Sequence, residues 1–114
     1  MLGTRWVMEE DFYVGRLSRR GLDVVVPGDA DRTEADRVIF DELTQGLVRS
    51  ESRASYAAIL GRLRDAGAEA VVLGCTEIEL LVRPEDAPLP VVESMRTHAA
   101  AAVAAALGDR VAAA

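Results

Sequence analysis

The chain has 114 residues, half of them hydrophobic and 28% charged, with a formal net charge of −6. That length suits one modest domain with its own core, and no apolar run reaches the length of a membrane span. The acidic balance argues against nucleic acid as a partner, since such binding needs a basic face.

Leu2-Gly3-Thr4 reads as the end of a strand whose beginning is missing. The spacing of Phe12 and Leu17 predicts a helix over Glu9 to Arg20, stopped at Gly21, a residue suited to the left-handed position after a helix. Leu22-Asp23-Val24-Val25-Val26 is expected as a strand ended by Pro27-Gly28. Asp31-Arg32-Thr33-Glu34 resembles a capping box, and Val38 or Ile39, Leu43 and Leu47 follow at helical spacing. After a break near Arg49 to Arg53, Tyr56, Ile59 or Leu60, and Leu63 define the next helix, which Gly67 ends.

Ala70-Val71-Val72-Leu73 is a short β-branched run bounded by Gly74, the pattern of a buried strand. The lone cysteine, Cys75, follows at once. Thr76-x-x-Glu79 then reads as a helix start with Thr76 as N-cap. A thiol there sits at the carboxyl end of a strand, where ligands bind in open α/β sheets, and a helix N-terminus lowers a thiol's pKa. The competing reading is a small buried cysteine that only packs. Pro84, Pro88 and Pro90 mark a loop, Val91-Val92 a short strand, and Ser94 the cap of an Ala-rich helix to Leu107. The lobe is expected to span residues 1–107, with 108–114 a frayed tail.

Strands alternate with helices, so the expected class is α/β, a parallel sheet with helices on both faces. One cysteine permits no internal disulfide, and no cluster of metal-ligand spacing accompanies it. No basic segment followed by an apolar stretch opens the chain as a secretory signal would, which makes a cytoplasmic setting the default expectation. All thirteen basic residues are Arg and none is Lys, a compositional bias with no functional reading.

Three stretches carry a family resemblance: Leu2-Gly3-Thr4-Arg5-Trp6-Val7-Met8-Glu9 with Asp11-Phe12-Tyr13; Ile39-Phe40-Asp41-Glu42-Leu43 with Gly46; and Leu73-Gly74-Cys75-Thr76-Glu77-Ile78, followed by Pro90-Val91 and Thr97-His98-Ala99. Together they resemble the second half of the aspartate/glutamate racemase family, most like its aspartate racemase branch. The resemblance implies one of two similar α/β lobes facing across a cleft. It implies a cofactor-independent reaction in which one cysteine thiolate removes the substrate's α-proton and an opposite thiol returns one to the other face. On this reading Cys75 is an acid/base residue. Thr76 binds the substrate α-carboxylate, Thr4 lines the cleft, and Arg49 stands where many relatives carry a lysine near the substrate. Glu77, where glutamate racemases have histidine, and His98 are supporting residues.

The resemblance also implies that the first lobe and its cysteine lie outside this chain. The chain is then expected to self-associate or to pair with the missing lobe, and to take a small-molecule amino acid as substrate. Two other readings remain: a single-cysteine decarboxylase or isomerase relative, such as arylmalonate decarboxylase, and a non-enzymatic orphan lobe. Trp6, Phe12 and Tyr56 are expected as core or lobe-interface residues, and Glu9-Glu10-Asp11 as the acidic first turn of a helix.

Overall fold

A computed structural model describes residues 1–108. Among these residues are five α-helices, α1 (Arg5–Glu9), α2 (Asp11–Ser18), α3 (Asp29–Asp41), α4 (Ser50–Asp65) and α5 (Ser94–Ala106), and a small parallel sheet of β1 (Val71–Leu73) and β2 (Val91–Glu93). Short 3₁₀ turns occupy Leu43–Gln45, Thr76–Leu80 and Pro84–Asp86. The two strands pair in register, Val71 with Val91 and Leu73 with Glu93. On the other side of β1, Leu2 forms a parallel bridge to Leu73, with its N–H donating to the Val72 carbonyl and its own carbonyl accepting from Gly74 N–H. Beyond it, the Met1 nitrogen donates to the Val25 carbonyl. Across the sheet the order is therefore the Val25 segment, Met1–Leu2, β1, β2. The α/β class with parallel strands is as expected.

The core lies where α3 and α4 cover the sheet. Leu2, Val71 and Leu73 are fully buried in one cluster with Val38, Ile39, Ile59 and Leu60. Each such side chain contributes roughly 1.5–3 kcal/mol on leaving water. Val38 and Ile39 are both buried, as are Ile59 and Leu60, so neither pair had to choose one member for the core. Tyr56 is buried too, and its hydroxyl donates to the Ala35 carbonyl at 2.8 Å. That bond ties α4 to α3 and satisfies a polar group that would otherwise be costly to bury.

Several boundaries differ from the sequence expectation. The helix expected over Glu9 to Arg20 is the shorter α2, Asp11–Ser18, and a separate helix that the sequence did not predict, α1, precedes it, because Glu10 adopts an extended conformation (φ −90°, ψ 147°) between the two. Gly21, at φ +85°, does end the pair, with Leu22 N–H returning to the Leu17 carbonyl. Leu22–Val26 forms no strand ladder, since its tie to the sheet is the single bond from Met1 to Val25. α3 starts at Asp29, two residues before the capping-box pattern, with Gly28 at the N-cap. Its helical pattern breaks after Asp41, and Leu47 is exposed. Ser94 is the first residue of α5 rather than its cap.

Residues 109–114, most of the expected tail, lie outside the described residues. No helix among the described residues is long and apolar enough to cross a membrane.

Candidate functional site

The chain leaves Leu2 toward one side of the sheet and returns to the other side as β1. The order reverses between these two neighbours, and both run out at the same end, Leu2 into Gly3-Thr4 and β1 into Gly74-Cys75. A crevice at such a switch point, outside the carboxyl ends of parallel strands, is the ligand-binding position of open α/β sheets. Both exits are glycines because α1 crosses directly over them. A Cβ on Gly74 would stand 2.9 Å from Val7 Cγ1, and one on Gly3 would stand 3.0 Å from the same atom and 3.5 Å from the Gly74 carbonyl carbon. Thr4 and Cys75 thus leave adjacent strand ends.

Thr4 caps α1, its hydroxyl accepting from Val7 N–H at 3.4 Å. α1 is held down by Arg5, whose backbone N–H donates to Asp36 at 2.8 Å and whose guanidinium reaches Thr33 and Asp29.

Cys75 is half-buried, with extended backbone (φ −145°, ψ 129°), and occupies the N-cap position of the 3₁₀ turn Thr76–Leu80. Its thiol donates to Glu77 Oε2 at 3.1 Å. The Thr76 hydroxyl donates to the same oxygen at 2.8 Å. Thr76 is therefore not the N-cap that its sequence pattern suggested. Glu79 does not reach back to it either; its carboxylate accepts from Met95 N–H at 3.2 Å and fixes the start of α5 instead.

The thiol's acidity also departs from expectation. Burial, and then the hydrogen bond to Glu77, push Cys75 up to about 11, and the backbone N–H groups of Glu77 and Ile78 pull the other way without offsetting them. A five-residue 3₁₀ turn has little dipole to set against a carboxylate at hydrogen-bond distance. Glu77 is the complement: the Cys75 thiol first, then the Thr76 hydroxyl, hold its carboxyl below the usual carboxylate range.

The other sequence-derived residues fall elsewhere. Arg49 sits at the N-cap of α4, largely exposed, with Nε 4.0 Å from the buried carboxylate of Glu42. Glu42 also accepts from the Ser52 hydroxyl and from Arg37 at 3.0 Å. No hydrogen bond or ion pair among the described residues joins Arg49 to the Cys75 cluster, although the Leu43–Gln45 turn of its neighbourhood packs on Thr76–Leu80. His98 is exposed on α5. Among the described residues no group of three or more His, Cys, Asp or Glu is placed to hold a metal ion.

Sequence reasoning missed Ser94 as a support of the site. Its hydroxyl donates to the Leu73 carbonyl at 2.6 Å, fastening the exit of β2 to the strand end just before Gly74-Cys75. The contact spans 21 residues of chain, and a Ser ahead of a helix signals only a cap locally.

The family model for Asp/Glu/hydantoin racemases matches residues 1–102. The chain belongs to this family. It is similar to a Yersinia pestis protein of known crystal structure classed with the Asp/Glu racemases, at 42% identity and a TM-score of 0.89. It is also similar to an aspartate racemase homologue from Pyrococcus horikoshii OT3, at 34% identity and a TM-score of 0.84. Each match covers 93% of this chain and 46% of the relative. The racemase-family chain described here therefore spans about half the length of these solved relatives.

Proposed function

We propose that this chain is the second lobe of a cofactor-independent racemase of an acidic amino acid, aspartate or glutamate, with Cys75 as one of two acid/base groups flanking the substrate α-carbon. The observation that carries this reading is the thiol's position at the switch point, hydrogen-bonded to Glu77 and one strand away from Thr4, in a chain of the Asp/Glu/hydantoin racemase family.

The chemistry demands stabilisation of a carbanion-like state on the α-carbon. Its charge spreads into the substrate carboxylate, so hydrogen-bond donors around that carboxylate lower the barrier. Thr76 is exposed beside the thiol with a hydroxyl that can re-aim from Glu77, and Thr4 stands at the neighbouring strand end; these two are the carboxylate donors of the proposal. Arg49 has the charge for a side-chain carboxylate, and its guanidinium stands 4.0 Å from Glu42. The second acid/base group comes from a lobe that pairs with this one. The half-length coverage of the solved relatives and the exposed apolar residues of α5 support that pairing.

The test is α-proton exchange of D- and L-aspartate and D- and L-glutamate in deuterated water, followed by proton NMR on the two-lobed assembly. Exchange with inversion of at least one substrate is expected. Replacing Cys75→Ala is expected to cut that rate on the order of 10²–10⁴-fold, the range of a positioned acid or base. A folded assembly that exchanges none of the four, or a Cys75→Ala variant that keeps full activity, contradicts the assignment.

A further inference from the structure

Met1 and Leu2 occupy only one end of the gap between β1 and the Val25 segment. Leu2 pairs with β1 through the Val72 carbonyl and the Gly74 N–H. Met1 turns the other way and donates to the Val25 carbonyl. An antiparallel pair would return a bond from the Val25 N–H to the Met1 carbonyl, and no such bond is made. A parallel pair would return it from the next residue but one, Pro27, which has no N–H to give. The Val25 segment therefore lies parallel to Met1–Leu2, and Pro27 stops the ladder at that end.

Toward the other end the ladder is open. Val71 turns its backbone to β2, its N–H donating to the Pro90 carbonyl. Bonding groups alternate sides along a strand, so the Val72 N–H and the Ala70 carbonyl face the gap. By the same alternation the Val25 N–H and the Asp23 carbonyl face it from the opposite rim. Among the described residues none of these groups has a backbone partner across the gap. Met1, Asp23, Val24, Val25, Ala70 and Val72, drawn from both rims, line one open groove.

We infer that this gap is a strand acceptor, and that its occupant is an extended segment joined to the Met1 nitrogen and running parallel to β1. The residue directly ahead of Met1 would donate to the Ala70 carbonyl and accept from the Val72 N–H. The residue before that would donate to the Asp23 carbonyl and accept from the Val25 N–H. Met1 itself selects a joined strand over a separate one. A free peptide, or a strand of a second copy, must end against a part-buried ammonium, whose pKa burial lowers. A peptide N–H in the same place keeps the bond to Val25 and has no charge to desolvate. The groove's apolar lining of Leu17, Leu22, Val72 and Val92 suits β-branched residues, and Asp23 and Glu69 on its wall suit a basic one at the entry. A filled gap would join the Val25 segment to β1 and hold Met1–Leu2, and so the Gly3-Thr4 exit beside Cys75, between two full neighbours.

Hydrogen exchange of the assigned backbone amides, followed by NMR on the full chain, tests this. In the chain as it stands the Val25 and Val72 amides should exchange near the unprotected rate, while those of Leu2 and Gly74 are slowed by their bonds. Adding Lys-Thr-Val-Ile-Val directly ahead of Met1 should slow Val25 and Val72 on the order of 10²-fold and raise Tm by roughly 5 °C. A Gly-Ser-Gly-Ser-Gly extension should do far less, because such residues form strands poorly. Exchanging the last Val of the apolar extension for Pro removes the donor to Ala70 and should return most of the gain in Tm. An apolar extension that leaves both amides unprotected overturns the inference, and so do two extensions that protect equally. Protection of the unextended chain that grows with protein concentration would give the gap to a second copy and overturn the joined strand. None of these readouts involves turnover, so they stand or fall separately from the α-proton exchange that tests the racemase reading.

Discussion

At the residue scale, the thiol and the two glycines beside it depend on each other. Cys75 reaches the switch point only because Gly74 and Gly3 let α1 lie across both strand ends, with Val7 nearly touching where their Cβ atoms would be. Val7 is β-branched and stiff at χ1, so it cannot swing aside at low cost. Gly74→Ala is therefore expected to destabilise the fold by about 1–3 kcal/mol, the usual scale for overpacking a filled space. Urea unfolding will show it as a lowered midpoint. Adding Val7→Ala should recover part of the loss, so that the double variant is more stable than the sum of the two single changes implies. An unchanged midpoint for Gly74→Ala would mean that α1 does not rest on the strand ends. The cysteine motif was legible in the sequence because its signals are local: a β-branched run, a glycine and a polar turn. What those signals could not convey was the direction of the acidity shift, which is set first by how deeply the fold buries the thiol and then by where the Glu77 side chain folds.

At the element scale, the junction between α3 and α4 is built on one buried carboxylate. Glu42 ends α3 and is 5% exposed. It accepts from Ser52 in the first turn of α4 and from Arg37 one turn back in α3. The Ser52 hydroxyl first, and Arg37 with it, hold its carboxyl below the usual carboxylate range. The folded chain then binds that proton less tightly than the unfolded chain. The stabilisation is in place above the ordinary carboxylate value and drains away as pH falls through the lower folded one. Thermal unfolding between pH 7 and pH 3 should show Tm falling across that acidic interval. Glu42→Gln should lower Tm at pH 7 and flatten the fall, and parallel curves for the two proteins would remove Glu42 from the account. The sequence marked these helices by their apolar spacing, and both α3 and α4 form. It did not mark the break after Asp41 or Arg49's engagement with Glu42. At that break a carboxylate meets a serine ten residues further on, and helical periodicity has no term for such a contact. The same limit explains Leu22–Val26: β-branched residues favour a strand, but a ladder needs consecutive backbone partners, and Met1 supplies one bond.

At the scale of the whole molecule, the core and the apolar exterior divide by face. α3 and α4 seal one side of the sheet. Val72 and Val92, which alternate with the buried Val71 and Leu73, line an open groove of about 560 Å³ together with Leu17, Leu22, Val25 and the acidic Asp23 and Glu69. α5 contributes no buried residue at all. Met95, Val103 and Leu107 stand 49%, 58% and 74% exposed along it, and Trp6 and Phe12 are exposed at 68% and 59%. Of the three aromatic residues expected in a core or an interface, only Tyr56 belongs to the core of this lobe. The sequence identified apolar faces by period but could not say which of them this lobe covers itself, because an apolar stripe looks the same whether its partner lies within the chain or outside it. Single exposed apolar side chains are ordinary, whereas contiguous apolar faces favour association. An Ala-rich helix whose larger side chains all face solvent is expected to find a partner. In sedimentation velocity the isolated chain should therefore run heavier than a monomer, increasingly so with concentration. Val103→Glu combined with Leu107→Glu places charge on the exposed side of α5 without touching the core, so it should shift the distribution toward monomer and, at dilutions where both proteins are monomeric, leave the unfolding free energy within roughly 0.5 kcal/mol of the wild type. A wild-type chain that stays monomeric at high concentration would show that α5 is stable in water as it stands, and would remove the exposed helix as an argument for a paired lobe.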